Sequence, residues 1–276
     1  MTATDAAVMR AGVRARRRRR VPGRLLGLLG LITFALVLEL LPRLGIVDER
    51  FFPPFSSMVR ALVQAMGTAQ FWSATGETLE AWGIGLAISL VAGIGLGLLF
   101  GSVEFLRRLT ASTVEFLRPV PSVALIPLAV LIFGITNIRS TLMLVIYASF
   151  WQVLIQVIYG VHDVDPVARE TARSYLLGRW ARLRHLVWPT AMPYVMTGVR
   201  LSAAVALILA VTAGLVGIGQ GLGWLISRAQ SGNDTPLVYG LVLFTGLLGV
   251  LVNVLFRFIE GRMLYWHASA RADLGG

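Results

Sequence analysis

The chain has 276 residues, a hydrophobic fraction of 56% and a formal net charge of +11. Charged residues make up only 14% of it, against roughly 25% in a soluble domain, so the composition excludes an ordinary soluble protein and predicts an integral membrane protein with one helical bundle. It contains no cysteine and only three scattered histidines, which excludes a disulfide framework and a cysteine nucleophile and disfavours a metal site.

The absence of lysine narrows the function classes further. All 25 basic residues are arginine, whereas a P-loop needs a lysine that reaches the nucleotide phosphates. The glycine-rich run from Gly217 to Gly223 is therefore interpreted as part of a membrane helix and its end loop, where glycine is common. No set of nucleophile and base is recognisable, so we predict no catalytic residue in this chain.

The N-terminal residues 1–24 are polar and basic, with five consecutive arginines at 16–20. Such a run is typical of nucleic-acid binding, of a signal peptide or of the cytoplasmic flank of a membrane helix. An apolar span follows at once, and no small-x-small cleavage site clearly follows that span. We therefore interpret residues 1–24 as a cytoplasmic tail and expect no nucleic-acid partner.

Six apolar segments follow in chain order, each able to cross a hydrocarbon core of about 30 Å as a helix. Backbone groups in lipid must bond within their own segment, which favours α-helices, and the alternating pattern of a membrane barrel is absent. The predicted fold class is therefore all-α, with six transmembrane helices. The predicted spans are residues 25–42, 81–103, 119–138, 140–161, 201–227 and 235–256.

Arginine placement predicts the orientation of these helices, because cytoplasmic loops of membrane proteins carry the excess of basic residues. With the N-terminus inside, the cytoplasmic segments hold 18 arginines and the outer segments hold five. Both termini are therefore expected in the cytoplasm. Residues 25–260 then form the transmembrane domain, and residues 261–276 form a C-terminal tail.

Prolines and glycines predict local geometry inside two spans. Prolines in the third span should kink or break it. Glycines in the second span should permit close approach of another helix. The residues concerned are Pro119, Pro121, Pro127, Gly93, Gly95 and Gly97.

Polar residues in or beside the spans have less specific interpretations. Glu39 lies near the outer end of the first span and is interpreted as a surface charge, as are Glu77 and Glu80 before the second. Gln152 and Gln156 lie one helical turn apart, and Trp151 is beside them. These last three residues are candidates for a translocation pathway, with hydrogen bonding between helices as an equal alternative for the glutamines.

The segment 162–189 is polar and arginine-rich, and it lies between two long apolar runs. Asp165 can cap a helix and Pro166 suits the first helical position. A short helix is therefore predicted over residues 167–177, ending near Gly178, with a second basic segment leading to the next span. Two short helices with a glycine hinge would form a projecting knob that fits the groove of a partner.

The residues alone leave open that this segment is simply a solvated loop, since arginines are expected in any cytoplasmic loop. Its apolar side chains argue against that alternative, because they require burial somewhere. They are Val167, Ala168, Ala172, Tyr175, Leu176 and Leu177.

Several short motifs in and around this segment point to one family. They are residues 170–174 (ETARS), 184–189 (RHLVWP), 116–127 (FLRPVPSVALIP), 197–202 (TGVRLS) and 221–226 (GLGWLI). In these motifs, over about residues 53–260, the chain resembles the ABC-importer permeases of the nitrate/sulfonate/taurine type. In that family the segment corresponding to 162–189 is a cytoplasmic coupling loop, between helices 4 and 5, which carries the EAA motif.

The resemblance implies a permease subunit of an ATP-driven importer in the bacterial plasma membrane, surrounded by membrane lipid, with about residues 75–260 as its core. Two permease copies, most simply a homodimer, would form the pathway. Two ATPase subunits would bind ATP and Mg, and an extracytoplasmic binding protein would deliver substrate, so this chain would hold no cofactor or metal itself. The implied ATPase-docking residues are Glu170, Ala172, Arg173, Tyr175 and Gly178.

Two positions depart from the family pattern. Where the family has a glycine in the loop, this chain has Leu176, and its nearest glycine is Gly178. Where the family has an acidic residue in the fifth helix, this chain has Gly214.

Two other function classes stay open. An ion-coupled secondary transporter would require paired intramembrane acids or broken helices in repeated halves, while the spans offer only Glu39. A membrane scaffold would use the basic N-terminus and transport nothing. The substrate is also open, because nitrate, sulfonates and taurine all lie within the range of the family.

Overall fold

The computed structural model describes residues 23–265, with side chains from Leu25 onwards, and within that range it contains helices and no strand. The two predicted tails therefore fall largely outside the described residues. The helices are α1 (Gly23–Arg43), α2 (Phe55–Met66), α3 (Ala69–Ser102), α4 (Glu104–Leu117), α5 (Ile126–Phe133), α6 (Ile138–His162), α7 (Pro166–Ser174), α8 (Arg179–Arg182), α9 (Trp188–Leu215), α10 (Leu222–Ser231) and α11 (Thr235–Met263).

The chain divides into two units, residues 1–56 and 57–276. In the first unit, α1 is a candidate membrane span over Leu25–Arg43. Glu39 lies near its end and is fully engaged there. Its carboxylate accepts hydrogen bonds from the backbone N–H and the hydroxyl of Ser56, at 2.8 and 2.9 Å, and pairs with Arg43 at 2.5 Å. This local pairing agrees with the interpretation of Glu39 as a charge at the span end.

Among the described residues, five helices are long and apolar enough to cross a membrane. They are α1, α3, α6, α11 and the continuous stretch Arg179–Leu215. A sixth crossing is available if the bent segment formed by α4, a 3-10 turn and α5 counts as one span. The all-α membrane fold is thus confirmed.

The second unit is organised around a close pairing of α3 with α6. Small residues, which are glycines and one serine, recur at every fourth position along one side of α3. Each of them faces the residue of α6 whose sequence number is higher by sixty. A Cβ atom on Gly93 or Gly97 would lie 2.8 or 2.7 Å from the Cβ of the opposing valine, so only glycine permits this approach. The Ser89 and Ser149 hydroxyls lie 3.2 Å apart in the same row. The prediction for Gly93 and Gly97 is confirmed, whereas Gly95 has no neighbour of this kind within 4 Å in the described part of the chain.

This constant offset means that α3 and α6 run parallel. Residues 103–137 must therefore return the chain across the bundle, over a distance of about 37 Å for the 25 residues of α6, all of which lie opposite α3. The returning segment is α4 followed by Ser122–Leu125 and α5, bent by 84°. It supplies the sixth crossing.

The predicted third span, residues 119–138, is wrong as a single helix. α4 ends at Leu117, and Pro119 and Pro121 occupy the turn that follows. Pro127 lies in the first turn of α5, where the missing N–H of proline costs nothing. The expectation that these prolines break the span is confirmed.

The predicted fifth span, residues 201–227, is wrong at its C-terminal end, whereas the start of its helix at Trp188, to which the basic segment of the loop leads, agrees with the sequence. α9 begins at Trp188 and ends at Leu215, and Gly217 and Gly219 then adopt left-handed φ angles of 86° and 72°, which glycine tolerates. A Cβ on Gly214 would lie 2.6 Å from the backbone nitrogen of Trp224. The glycine run is therefore a tight turn between packed helices, in agreement with its interpretation as a helix-end loop.

Candidate functional site

The segment 162–189, called here the coupling loop, begins as the sequence predicts. The Asp165 carboxylate accepts a hydrogen bond of 2.8 Å from the Val167 N–H, and Pro166 is the first residue of α7. Arg169 donates to the carbonyl of Val161 at 3.2 Å, which joins α7 to the end of α6. The loop is thereby held against the membrane helix that precedes it.

The end of α7 differs from the prediction, because the helix stops at Ser174 and not at residue 177. Leu176 adopts a left-handed φ of 52°. Its N–H bonds to the Arg173 carbonyl at 2.9 Å, and the Leu177 N–H bonds to the Ala172 carbonyl at 3.0 Å. This pair of bonds is the Schellman motif, which normally places glycine at the left-handed position.

The predicted glycine hinge at Gly178 is wrong. Gly178 has a φ of −61° and a ψ of 162°, which any residue adopts, and it precedes α8. The reversal of the chain occurs at Leu176 instead. The loop therefore turns at the position where the family that this sequence resembles has a glycine, although this chain has a leucine there.

The coupling loop carries large apolar side chains that the described part of the chain does not cover. Tyr175, Leu176 and Trp180 are 78%, 90% and 71% exposed, and Val167 is exposed as well. Exposed aromatic and aliphatic side chains clustered in this way are typical of a protein-binding surface.

The five predicted docking residues do not all lie on this surface. Glu170, Arg173, Tyr175 and Gly178 are exposed, so a partner can reach them. Ala172 is only 6% exposed, and its carbonyl accepts the bond that closes the turn. Ala172 therefore faces its own chain, where a small side chain lets α7 sit closely.

A cleft of about 700 Å³, called here the arginine cleft, lies between the coupling loop and the end of α3. Four arginines line it, and the continuation of α8 through a π-helical turn, Leu183–Val187, forms one wall. Sequence reasoning missed this cleft, because nothing local relates residues 101–104 to the loop. Its arginines are Arg169, Arg173, Arg179 and Arg182.

The predicted pathway residues lie inside the bundle. Trp151 is 9% exposed and makes edge-on ring contacts with Tyr147 and Phe150. Gln152 and Gln156 are half-buried and face Gly198 of α9. None of the three is among the residues lining the arginine cleft or the cavity described next, so their role in a pathway stays a prediction.

A cavity of about 430 Å³, called here the distal cavity, lies at the opposite end of α3, α6 and α9. Glu77 and Glu80 line it; Glu80 is exposed, in agreement with its interpretation as a surface charge, whereas Glu77 is half-buried. Thr141 also lines it, is 6% exposed, and forms no hydrogen bond through its hydroxyl within the described residues. No basic side chain from residues 23–265 lines this cavity.

The position of Gly214 explains one departure from the family pattern. Gly214 lines the distal cavity, but the close approach of the Trp224 backbone leaves no room for a side chain. The negative charge of this cavity comes from α3 instead of α9. Residues 23–265 contain no convergent set of three histidine or acidic side chains that would hold a metal ion.

Residues 89–265 match the family described as "Binding-protein-dependent transport system inner membrane component". The chain is 29% identical over 187 residues to the aliphatic sulfonates transport permease protein SsuC of Bacillus subtilis, over 66% of this chain and 67% of SsuC. It is 27% identical over 233 residues to the taurine transport system permease protein TauC of Escherichia coli, over 83% of this chain and 84% of TauC.

The fold is similar to a chain in the crystal structure of a bacterial alginate ABC transporter in complex with an alginate pentasaccharide-bound periplasmic protein. The TM-score is 0.64, and the match covers 88% of this chain and 92% of that one. At 14% sequence identity, this likeness shows a shared fold.

Proposed function

The chain belongs to the family of binding-protein-dependent transport system inner membrane components, and on that premise we propose that the coupling loop is the surface through which it docks on its ATPase. It is a multi-pass permease subunit of an ABC importer in the bacterial plasma membrane, and ATP hydrolysis resides in a separate subunit. An extracytoplasmic binding protein is the further component of such an importer.

The observation that carries the docking proposal is the exposed apolar surface of the coupling loop. Tyr175, Leu176 and Trp180 are all more than two-thirds exposed, and tyrosine and tryptophan are the residues that dominate binding energy at protein interfaces. Leu176 in addition occupies a left-handed backbone position, which is unfavourable for leucine by roughly 1–2 kcal/mol. A bulky apolar residue that is 90% exposed at such a position supports contact with a partner.

We further propose the arrangement of the complex. Two copies of this permease, as a homodimer, enclose the pathway, and two ATPase subunits that bind ATP and Mg lie beneath them. Both termini, residues 1–24 and 261–276, face the cytoplasm together with the coupling loop, and residues 25–260 span the membrane. The excess of arginine in these segments supports this orientation, in which the parallel helices α3 and α6 both run inward.

For the substrate we propose a small anion or organic solute, such as nitrate, a sulfonate or taurine. The distal cavity, on the outer side in this orientation, discriminates among them. Glu77 and Glu80 line it without a basic side chain from the described residues, so a simple anion such as nitrate would meet two negative charges there and no positive one. Taurine carries an ammonium group beside its sulfonate and suits this cavity better.

Charge reversal at Glu170 tests the docking proposal. Glu170→Arg should leave the full chain in the membrane but abolish co-purification of the ATPase in mild detergent, because an exposed charge is reversed within the docking surface. Glu49→Arg is the matched control, since Glu49 is also exposed and lies outside the coupling loop. Retention of a stoichiometric ATPase by Glu170→Arg, with transport intact, would show that the docking assignment is wrong.

A further inference from the structure

The arginine cleft carries an excess of positive charge that the described residues do not neutralise. Four arginines and one glutamate line it, which leaves three net positive charges. The glutamate, Glu104, is already engaged, because it pairs with Arg107 and accepts a 2.8 Å hydrogen bond from Arg108. The cleft is therefore an anion-binding environment.

Arg182 is half-buried in the wall of the cleft, and one nitrogen of its guanidinium group lacks a partner. The Nε of Arg182 is inaccessible to solvent and has no hydrogen-bond partner among residues 23–265. A buried donor without a partner is costly, and a guanidinium presents its donors in a fork that matches the oxygens of a phosphate group. The geometry thus favours a ligand with phosphate-like oxygens.

The position of the cleft relative to the membrane helices indicates where that phosphate comes from. Its walls include Val103 beyond the end of α3, Val161 near the end of α6, and Leu186 and Val187 before the start of α9. These apolar residues lie at the ends of three long apolar helices, while the arginines lie on the loop side. Phospholipid headgroups combine the same two features, with apolar tails on one side and charge on the other.

We propose that the arginine cleft binds the phosphate group of an anionic phospholipid, with Arg182 and Arg179 as the principal contacts. The inference rests on the proposed function in one respect, because it requires the coupling loop on the cytoplasmic side, where anionic lipids attract basic residues. Since Arg169 and Arg173 belong to α7, a bound lipid stabilises the position of the docking surface.

The test measures lipid binding by the full chain, purified and delipidated in detergent, without requiring an ATPase. Short-chain phosphatidylglycerol, short-chain phosphatidylcholine and inorganic phosphate are titrated separately. Arg182→Gln should weaken phosphatidylglycerol binding about fivefold, the effect of roughly one interfacial charge. Arg184→Gln is the matched control, because Arg184 is exposed two residues away but does not line the cleft, and it should bind as the original chain does.

Arg182→Lys keeps the charge but loses the guanidinium fork, so its phosphatidylglycerol binding should lie between that of the original chain and that of Arg182→Gln, which guards against a general folding defect in Arg182→Gln. Equal phosphatidylglycerol binding by Arg182→Gln and Arg184→Gln would overturn the proposal. If inorganic phosphate binds with the same dependence on Arg182 while phosphatidylglycerol does not, the lipid assignment is overturned and the occupant is free phosphate. If Arg182→Gln lowers only ATPase co-purification, the cleft is part of the protein interface and the proposal fails.

The two proposals fail separately in these experiments. Glu170→Arg should lose the ATPase and keep phosphatidylglycerol binding, because Glu170 does not line the cleft. If Arg182→Gln loses lipid binding while Glu170→Arg still co-purifies with the ATPase, the lipid site is supported and the docking assignment is refuted.

Discussion

Replacement of Leu176 by glycine should stabilise the coupling loop and at the same time weaken docking. Leu176 has a φ of 52°, which costs a non-glycine residue roughly 1–2 kcal/mol. Glycine removes that cost but gives back about 0.5–1 kcal/mol through its larger freedom in the open state. Since the leucine side chain is 90% exposed, almost no burial is lost, and a net stabilisation of about 0.5–1 kcal/mol is expected.

Amide hydrogen exchange of Leu177 is the direct measurement, because its N–H closes the turn by bonding to the Ala172 carbonyl. A stabilisation of about 0.5–1 kcal/mol corresponds to an exchange rate slower by about two- to fivefold. Leu176→Ala is the control, since alanine retains the left-handed strain and should leave the exchange rate unchanged. Exchange that is unchanged or faster in Leu176→Gly would refute the assignment of strain to this residue.

The same two variants separate loop stability from docking. Both remove the exposed leucine side chain, so both should weaken ATPase binding to a similar extent, although only Leu176→Gly should protect the Leu177 amide. An ATPase that binds Leu176→Gly more tightly than the original chain would indicate that rigidity of the loop, and not the apolar contact, determines docking.

Two further predictions concern the bundle and its orientation. Gly97→Ala should destabilise the chain by about 1–3 kcal/mol, because its Cβ would overlap a valine of α6 at 2.7 Å and overpacking has that cost. Gly95→Ala meets no neighbour in the described part of the chain, so it should leave the detergent unfolding midpoint unchanged or raise it through the better helix propensity of alanine, about 0.5–1 kcal/mol. Equal midpoints for the two variants would contradict the helix pairing. Because the chain contains no cysteine, the single variants Ser174→Cys and Ser231→Cys each place one reactive thiol on a known side of the proposed topology. In intact spheroplasts, a membrane-impermeant maleimide should label only the variant with cysteine at position 231. Labelling at position 174 alone would show that the topology is the reverse of the proposed one.

Local sequence predicted the parts of this fold that local chemistry determines. Asp165 and Pro166 gave the start of α7, and the prolines of the third span gave its break. The end of α7 was mispredicted, because the turn at Leu176 carries no residue that favours a left-handed conformation. The hydrogen bonds to Arg173 and Ala172 impose it there, and these depend on the packing of the whole loop.

Tertiary pairing accounts for most of what the sequence could not predict. The glycines of α3 indicated a close helix contact, but only the structure identifies α6 as the partner and separates Gly93 and Gly97 from Gly95. The arginine cleft joins residues about 60 to 80 positions apart, and the distal cavity brings Glu77 beside Gly214. These residues come together because α3 and α6 run parallel, and no local sequence pattern predicts that pairing.

The two helices that frame the coupling loop also frame the distal cavity, and this bears on how docking is converted into transport. α6 runs from Ile138 and Thr141 at the cavity to His162 at the loop, about 37 Å for its 25 residues. α9 runs back from the loop side to Ala210 and Gly214 at the same cavity. Close glycine contacts hold α6 to α3, so we expect a displacement of the loop to move α3 and α6 together. If the ATPase docks on the loop as proposed, ATP binding alters the cavity only to the extent that the ATPase binds the loop differently in its two nucleotide states, so the difference in docking free energy between those states, and not the strength of docking itself, sets the transport cycle.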